Sequence, residues 1–166
     1  MKILIADTAP LIFLAKLTLL DVLCEHVSLI VPFEVADEAT KRQELPDAVY
    51  IQKLISEKRI IVAHVAAKNV AAFQGEWGLG RGESAGLLLA QAKQIAILTD
   101  DYPAMRVAKA LRLSFVTTPL LIVEMKKQGL ITLELAQAKL DRLQEHAWLS
   151  PDILAAAHNL LTGGAL

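Results

Sequence analysis

The chain has 166 residues, 54% of them hydrophobic, and a formal net charge of −1. That length suits one domain with a substantial core, and the charge excludes a global basic field, so any nucleic-acid role needs a local basic patch. Cys24 is the sole cysteine, which excludes an intrachain disulfide and a cysteine-rich zinc site and points to a reducing, cytoplasmic setting.

In chain order, residues 2–6 read as a buried strand ending at a lone acid, Asp7. Residues 10–17 and 19–25 read as two short helices, and VSLIVP (27–32) as a second strand stopped by Pro32. Helices are expected over 33–43 and 47–59, the latter from the spacing of Val49, Ile51, Leu54 and Ile55. IIVAHV (60–65) is a strand and 67–77 a helix. GLGRG (78–82) breaks the chain before a helix at 83–94. Strands at 95–99 and 113–117 flank a helix at 102–111, with Pro103 in its first turn. Helices at 119–128, 133–146 and 151–161 complete the chain, and Gly163 and Gly164 read as a loose tail. Strands alternating with helices predict an α/β fold with a parallel sheet covered on both faces. No linker interrupts residues 1–166, so a single domain is expected. The chain runs straight into a strand pattern without a signal peptide, and Lys16 and Asp21 interrupt the apolar runs, so no spanning helix is expected. The mean hydropathy of +0.43 predicts that a partner covers some apolar surface.

In an open parallel sheet, ligands bind at the carboxyl ends of the strands. Asp7 follows the first strand, and Asp100 and Asp101 follow the strand at 95–99, so two strands deliver carboxylate to one edge. Glu83 opens a helix just after the glycine turn, and Glu38 lies in the helix of 33–43. Taken singly, each has a plain structural explanation: an N-cap, a first-turn acid or a solvated helix face. Asp37 and Glu34 keep the solvated-face reading. Gathered together, the other acids would repel one another and call for a cation. Oxygen donors without thiols or a histidine pair select Mg²⁺ or Mn²⁺, and the usual use of such a site is phosphodiester hydrolysis.

The stretches IADTAPLIFLAKL, IVPFEVADEA, GLGRGESAGLLLA and ILTDDYPAMRVAKALRL, in this order, resemble the PIN domain, specifically the prokaryotic DUF3368 branch related to VapC-type toxins. The similarity spans roughly residues 1–130, and the helical tail, about 131–161, is compatible with the same domain. The resemblance implies a three-layer α/β/α fold, a Mg²⁺ or Mn²⁺ cofactor and ribonuclease activity. It matches Asp7 to the first acid, Glu38 to the second, Glu83 to the acid after the glycine turn, and Asp100 or Asp101 to the last. It also implies that Asp7, Glu83 and one aspartate of the pair hold the metal, and that Thr8 orients Asp7 or a water. Glu38 would complete the cluster or position an attacking water, leaving a 5′-phosphate and a 3′-hydroxyl. Arg81 and Arg106, with Lys41, Arg42 and Lys109 nearby in sequence, are candidates to contact RNA. A homodimer and an antitoxin partner are further expectations. Two positions depart from the branch: Ala85 replaces an accessory acid, and Met105 precedes Arg106 where an arginine is usual.

Other readings are weaker. GLGRGE places Glu83 where a dinucleotide loop needs its third glycine, and no strand precedes it. IADTAP lacks the second aspartate of a phospho-aspartyl phosphatase, having Ala9 there. His26, His64, His146 and His158 have no metal spacing, and Trp77 and Trp148 read as packing residues, with base stacking as the alternative. The rival from another class is a noncatalytic PIN-fold module that binds RNA or protein.

Overall fold

The computed structural model describes residues 2–146 and 149–163; Trp148 and Gly164 lie outside them. The chain forms two compact units, Met1–Val116 and Thr117–Leu166. In the first, elements run β1 (Lys2–Ala6), α1 (Thr8–Lys16), α2 (Leu20–His26), β2 (Val27–Pro32), α3 (Phe33–Thr40) and α4 (Pro46–Ser56). They continue with β3 (Ile60–Ala63), α5 (Ala67–Trp77), α6 (Arg81–Lys93), β4 (Ile97–Leu98), α7 (Tyr102–Ala110) and β5 (Phe115–Val116).

The five strands form one sheet in the order β3-β2-β1-β4-β5, and every pairing is parallel. Chain travel goes from β1 outward to β3, then jumps back to β4 and runs the other way to β5. Right-handed crossovers then put the helices of the two halves on opposite faces, which gives an α/β sheet flanked by helices. Its strands are rich in Ile, Leu and Val because both faces are covered. Ile5, Leu87 and Ile97 are fully buried in the core between sheet and helices. Leu11, Leu14, Leu20, Leu23, Leu29, Ile51 and Leu54 are also fully buried, on α1, α2, β2 and α4.

Strand-to-helix connections at the carboxyl edge are short. One residue, Asp7, joins β1 to α1; none separates β2 from α3; three, Thr99 to Asp101, join β4 to α7. Register puts the tips at one level, since Ile5 pairs with Ile30 and Ile97, and Pro32 pairs with Ala63. The strands expected at 95–99 and 113–117 are each reduced to two residues, because only Ile97 and Leu98 find β1 and β5 within ladder reach. Helix boundaries otherwise fall close to expectation, and α6 starts at Arg81 rather than 83 because Gly80 is its N-cap.

The second unit comprises α8 (Thr118–Lys127), α9 (Leu133–His146) and α10 (Pro151–Leu161), packed on one another. Leu121, Met125, Leu140, Leu143, Leu154 and Leu161 are buried in it. Pro119 and Pro151 sit in first turns, where a missing N–H costs nothing. Among the described residues no helix is long and apolar enough to cross a membrane.

Leu87 is fully buried where α6 covers the sheet. Leu87→Ala should lower the unfolding free energy by roughly 2–5 kcal/mol, through lost transfer energy and a cavity, as read by urea denaturation.

Candidate functional site

The order of the sheet reverses between β1 and β4, and a crevice at such a switch point is where open α/β sheets receive ligands. Asp7 stands at the tip of β1 and Thr99 at the tip of β4, side by side. Asp7 is the N-cap of α1 and only 5% exposed. Its Oδ1 accepts from the Thr8 backbone N–H at 2.8 Å, and its Oδ2 accepts from the fully buried Thr99 hydroxyl at 3.1 Å. Those bonds do not offset the loss of water. Burial, reinforced by the charges of Glu83 and Asp101, pushes the Asp7 carboxyl up to about 7.

Glu83 reaches the same region from the third position of α6. Its carboxylate turns back to accept from the Gly80 N–H, the reciprocal half of a capping box. Partial burial, then the charge of Asp101 and that of Glu38, raise its pKa. A side chain at Gly80 would collide with Glu83 Oε2, and a Cβ at Gly82 would stand 3.3 Å from both Glu38 Oε2 and Thr8 Oγ1. Both glycines therefore permit close approach of backbone to carboxylate.

Asp101 is the N-cap of α7: its Oδ2 accepts from the Ala104 N–H at 2.7 Å, and its own N–H donates to Thr99 Oγ1 at 3.3 Å. Thr99 thus ties the Asp7 and Asp101 segments together. Asp100, half-buried, immediately precedes that cap. Glu38 is exposed on α3, and its Oε2 accepts from the Thr8 hydroxyl at 3.0 Å. Thr8 therefore orients Asp7 through its backbone and Glu38 through its side chain. Asp7, Glu38, Glu83 and Asp101 are linked through these bonds and mutual fields on one edge.

Glu34 corrects the sequence reading. It is not on a solvated face but 8% exposed, with Oε1 3.8 Å from the Arg81 guanidinium and Oε2 buried without a hydrogen-bond partner. The signal was present: residues four apart share a helix face, so an inward role for Glu38 drew Glu34 toward the same neighbourhood. The bond from Thr99 to Asp7 leaves no signal in the sequence, because 92 residues of chain separate the two. Arg81 is exposed beside Glu34, and Arg106 is exposed on α7. Of the other cations, Arg42 pairs with Glu44 at 3.2 Å and Lys109 lies 5.7 Å over the Phe115 ring. Phe33 and His64, from the tips of β2 and β3, stack at 5.3 Å. The glycine turn follows a helix, α5, and not a strand, so it is no dinucleotide fingerprint.

The donor set is all oxygen, and at Asp7 and Glu83 burial, the larger cause, is joined by the charges of neighbouring acids in raising the pKa. That chemistry fits a hard divalent cation. Among the described residues no three His, Cys, Asp or Glu side chains are already spaced to hold an ion. The carboxylates instead take protein donors: Thr8, Thr99, Gly80 and Ala104.

The native Asp7 carboxyl holds its proton up to about 7, the unfolded one only to 3.8. Between those values the native protein binds more protons, so this group's contribution is fully present below pH 3.8 and is lost as pH rises through about 7. Asp7→Asn should flatten that fall and, in metal-free buffer at pH 8, raise stability by on the order of a few kcal/mol. Thermal melts from pH 4 to about 8 read both effects.

The family model for DUF3368, described as a PIN domain, matches residues 3–162. Solved structures are similar to the chain at low identity. PAE2754 from Pyrobaculum aerophilum is 16% identical, with TM-score 0.56 over 76% of this chain and 98% of that one. The PilT N-terminus domain protein SSO1118 from Sulfolobus solfataricus is 16% identical, with TM-score 0.48 over 83% and 93%. VapBC2 from Rickettsia felis, bound to a DNA fragment from its promoter, is 13% identical, with TM-score 0.48 over 69% and 98%. No curated protein matches. With the model spanning nearly the whole chain, the protein belongs to the DUF3368 family of PIN domains.

Proposed function

We propose that the protein is a Mg²⁺- or Mn²⁺-dependent endoribonuclease that hydrolyses RNA phosphodiesters. The observation that carries this reading is the buried Asp7 carboxyl at the switch point, pushed up to about 7 beside Glu83 and Asp101. Burial is the larger cause of that shift, and the charges of Glu83 and Asp101 add to it. Asp7, Glu83 and an aspartate of the 100/101 pair would hold the ion. When bound, it supplies charge neutralisation at the phosphate and a more acidic water.

The chain's own residues do the rest. Thr8 and Thr99 fix the Asp7 carboxylate in orientation. Glu38, whose Oε2 accepts from the Thr8 hydroxyl, would take a proton from an attacking water. Hydrolysis in this sense leaves a 5′-phosphate and a 3′-hydroxyl. Asp101 is an aspartate of the 100/101 pair whose charge bears on both Asp7 and Glu83. Arg81 and Arg106 are the cations set to meet RNA phosphate, at the local scale that a net charge of −1 requires. A homodimer and an antitoxin partner belong to the same proposal, supported by the mean hydropathy of +0.43. A cytoplasmic setting fits the single cysteine.

Calorimetry with Mn²⁺ should show binding to wild type, with Asp7→Asn weakening it about 10-fold or more, and the ion should raise the melting temperature of wild type only. A flat titration and an unmoved melt would favour the noncatalytic binding module.

Purified protein should cut single-stranded RNA with Mn²⁺ and stop in EDTA. Glu83→Gln keeps an oxygen for the Gly80 N–H but removes charge, and should cut the rate roughly 100-fold or more. Asp37→Ala, an exposed acid beside Glu38, should leave the rate unchanged; Glu34, being buried, cannot serve as that control. Cleavage that survives EDTA would sink the metal-nuclease reading.

A further inference from the structure

Beside the acids, between the end of α5, the turn at residues 78–80 and the first turns of α7, lies a cleft of about 270 Å³. Trp77, Leu79, Tyr102, Pro103, Arg106 and Val107 line it. Two short covalent links fix its place: Tyr102 follows Asp101, and Leu79 precedes Gly80, whose N–H Glu83 holds. Leu79 and Val107 are buried and give it an apolar floor. Trp77 is braced by Phe73, ring centroids 6.2 Å apart. Tyr102, next in sequence to a site acid, is 68% exposed. A second cleft of about 350 Å³ is also lined by Trp77, but Asn69, Glu76 and Gln91 supply its polar groups. Only the first combines aromatic walls with a guanidinium and continuity with the acids.

We infer that this first cleft receives one unpaired nucleobase of an RNA strand, adjacent to the phosphodiester at Asp7, Glu83 and Asp101. The inference rests on the ribonuclease reading for the identity of the ligand. Aromatic faces stack any base, and Arg106 supplies charge for the attached phosphate. A base inside a duplex already has both faces covered by its neighbours, so the cleft selects single strands.

The two tryptophans are Trp77 and Trp148, so Trp148→Phe leaves Trp77 the sole tryptophan, excited selectively at the red edge of the protein absorption. That protein is titrated in EDTA with a dye-labelled single-stranded RNA of about ten nucleotides, a length suited to a stacking groove. Dye anisotropy reports binding and Trp77 emission reports the cleft. Binding should quench Trp77. Tyr102→Ala should weaken affinity about 5- to 100-fold and Tyr102→Phe should restore it. Arg106→Ala should lower the salt slope by about 1, and a duplex of the same composition should leave Trp77 unquenched. RNA that binds by anisotropy without quenching Trp77, with Tyr102→Ala unchanged, overturns the inference, as does RNA that does not bind. A parallel cleavage assay of wild type in Mn²⁺ separates the two ideas. Quenching without cleavage leaves the cleft standing and removes the nuclease, and cleavage without quenching does the reverse.

Discussion

Asp7 is a carboxyl taken out of water and then crowded by other acids. Burial alone disfavours its charge, and Glu83 and Asp101 add to that. Two donors, the Thr8 N–H and the Thr99 hydroxyl, pull the other way and lose. Each of the features around it answers this conflict. α1 begins immediately after it, so that its first N–H, that of Thr8, donates to the carboxyl. Thr99 sits at the neighbouring strand tip, fully buried, and its one hydroxyl both donates to Asp7 and accepts from the Asp101 N–H.

The same constraint explains the glycine turn. Carboxylates can be gathered only if the backbone that carries them comes close. Gly82 lets the start of α6 approach Glu38 and Thr8, and Gly80 leaves room for the Glu83 carboxylate against its own helix terminus. Helix ends, strand tips and missing side chains thus converge on one edge of the sheet. The reversal of strand order opens that edge.

Much of this was legible in the sequence. Strands of continuous aliphatic residues followed by Asp or Pro gave β1 and β2 with their observed limits. The acids at strand tips could be located because a parallel sheet sends all its carboxyl ends one way. What could not be read was the depth of each side chain. Glu34 and Glu38 have the same chemistry and share a helix face, yet one is buried beside Arg81 and the other is exposed. That difference depends on what packs against α3, which local pattern does not contain. The length of β4 and β5 was hidden for a related reason. Residues 95–99 and 113–117 are largely apolar, but a ladder needs paired backbone, and β4 pairs with β1 and with β5 over only two residues each.

Those short strands give the sheet two unequal halves. β1, β2 and β3 are joined by four-residue registers, while β4 meets β1 and β5 through two residues each. Asp7 and Glu38 belong to the heavily laddered half, and Asp101 to the lightly laddered one. The candidate site therefore straddles a mechanical seam. Local opening costs least where few backbone bonds must break, so amides of β4 and β5 should exchange with solvent ahead of those in β1 and β2. Thr99 is the rivet across that seam, and the spacing of the carboxylates on its two sides is set by a joint that can yield without disturbing the core.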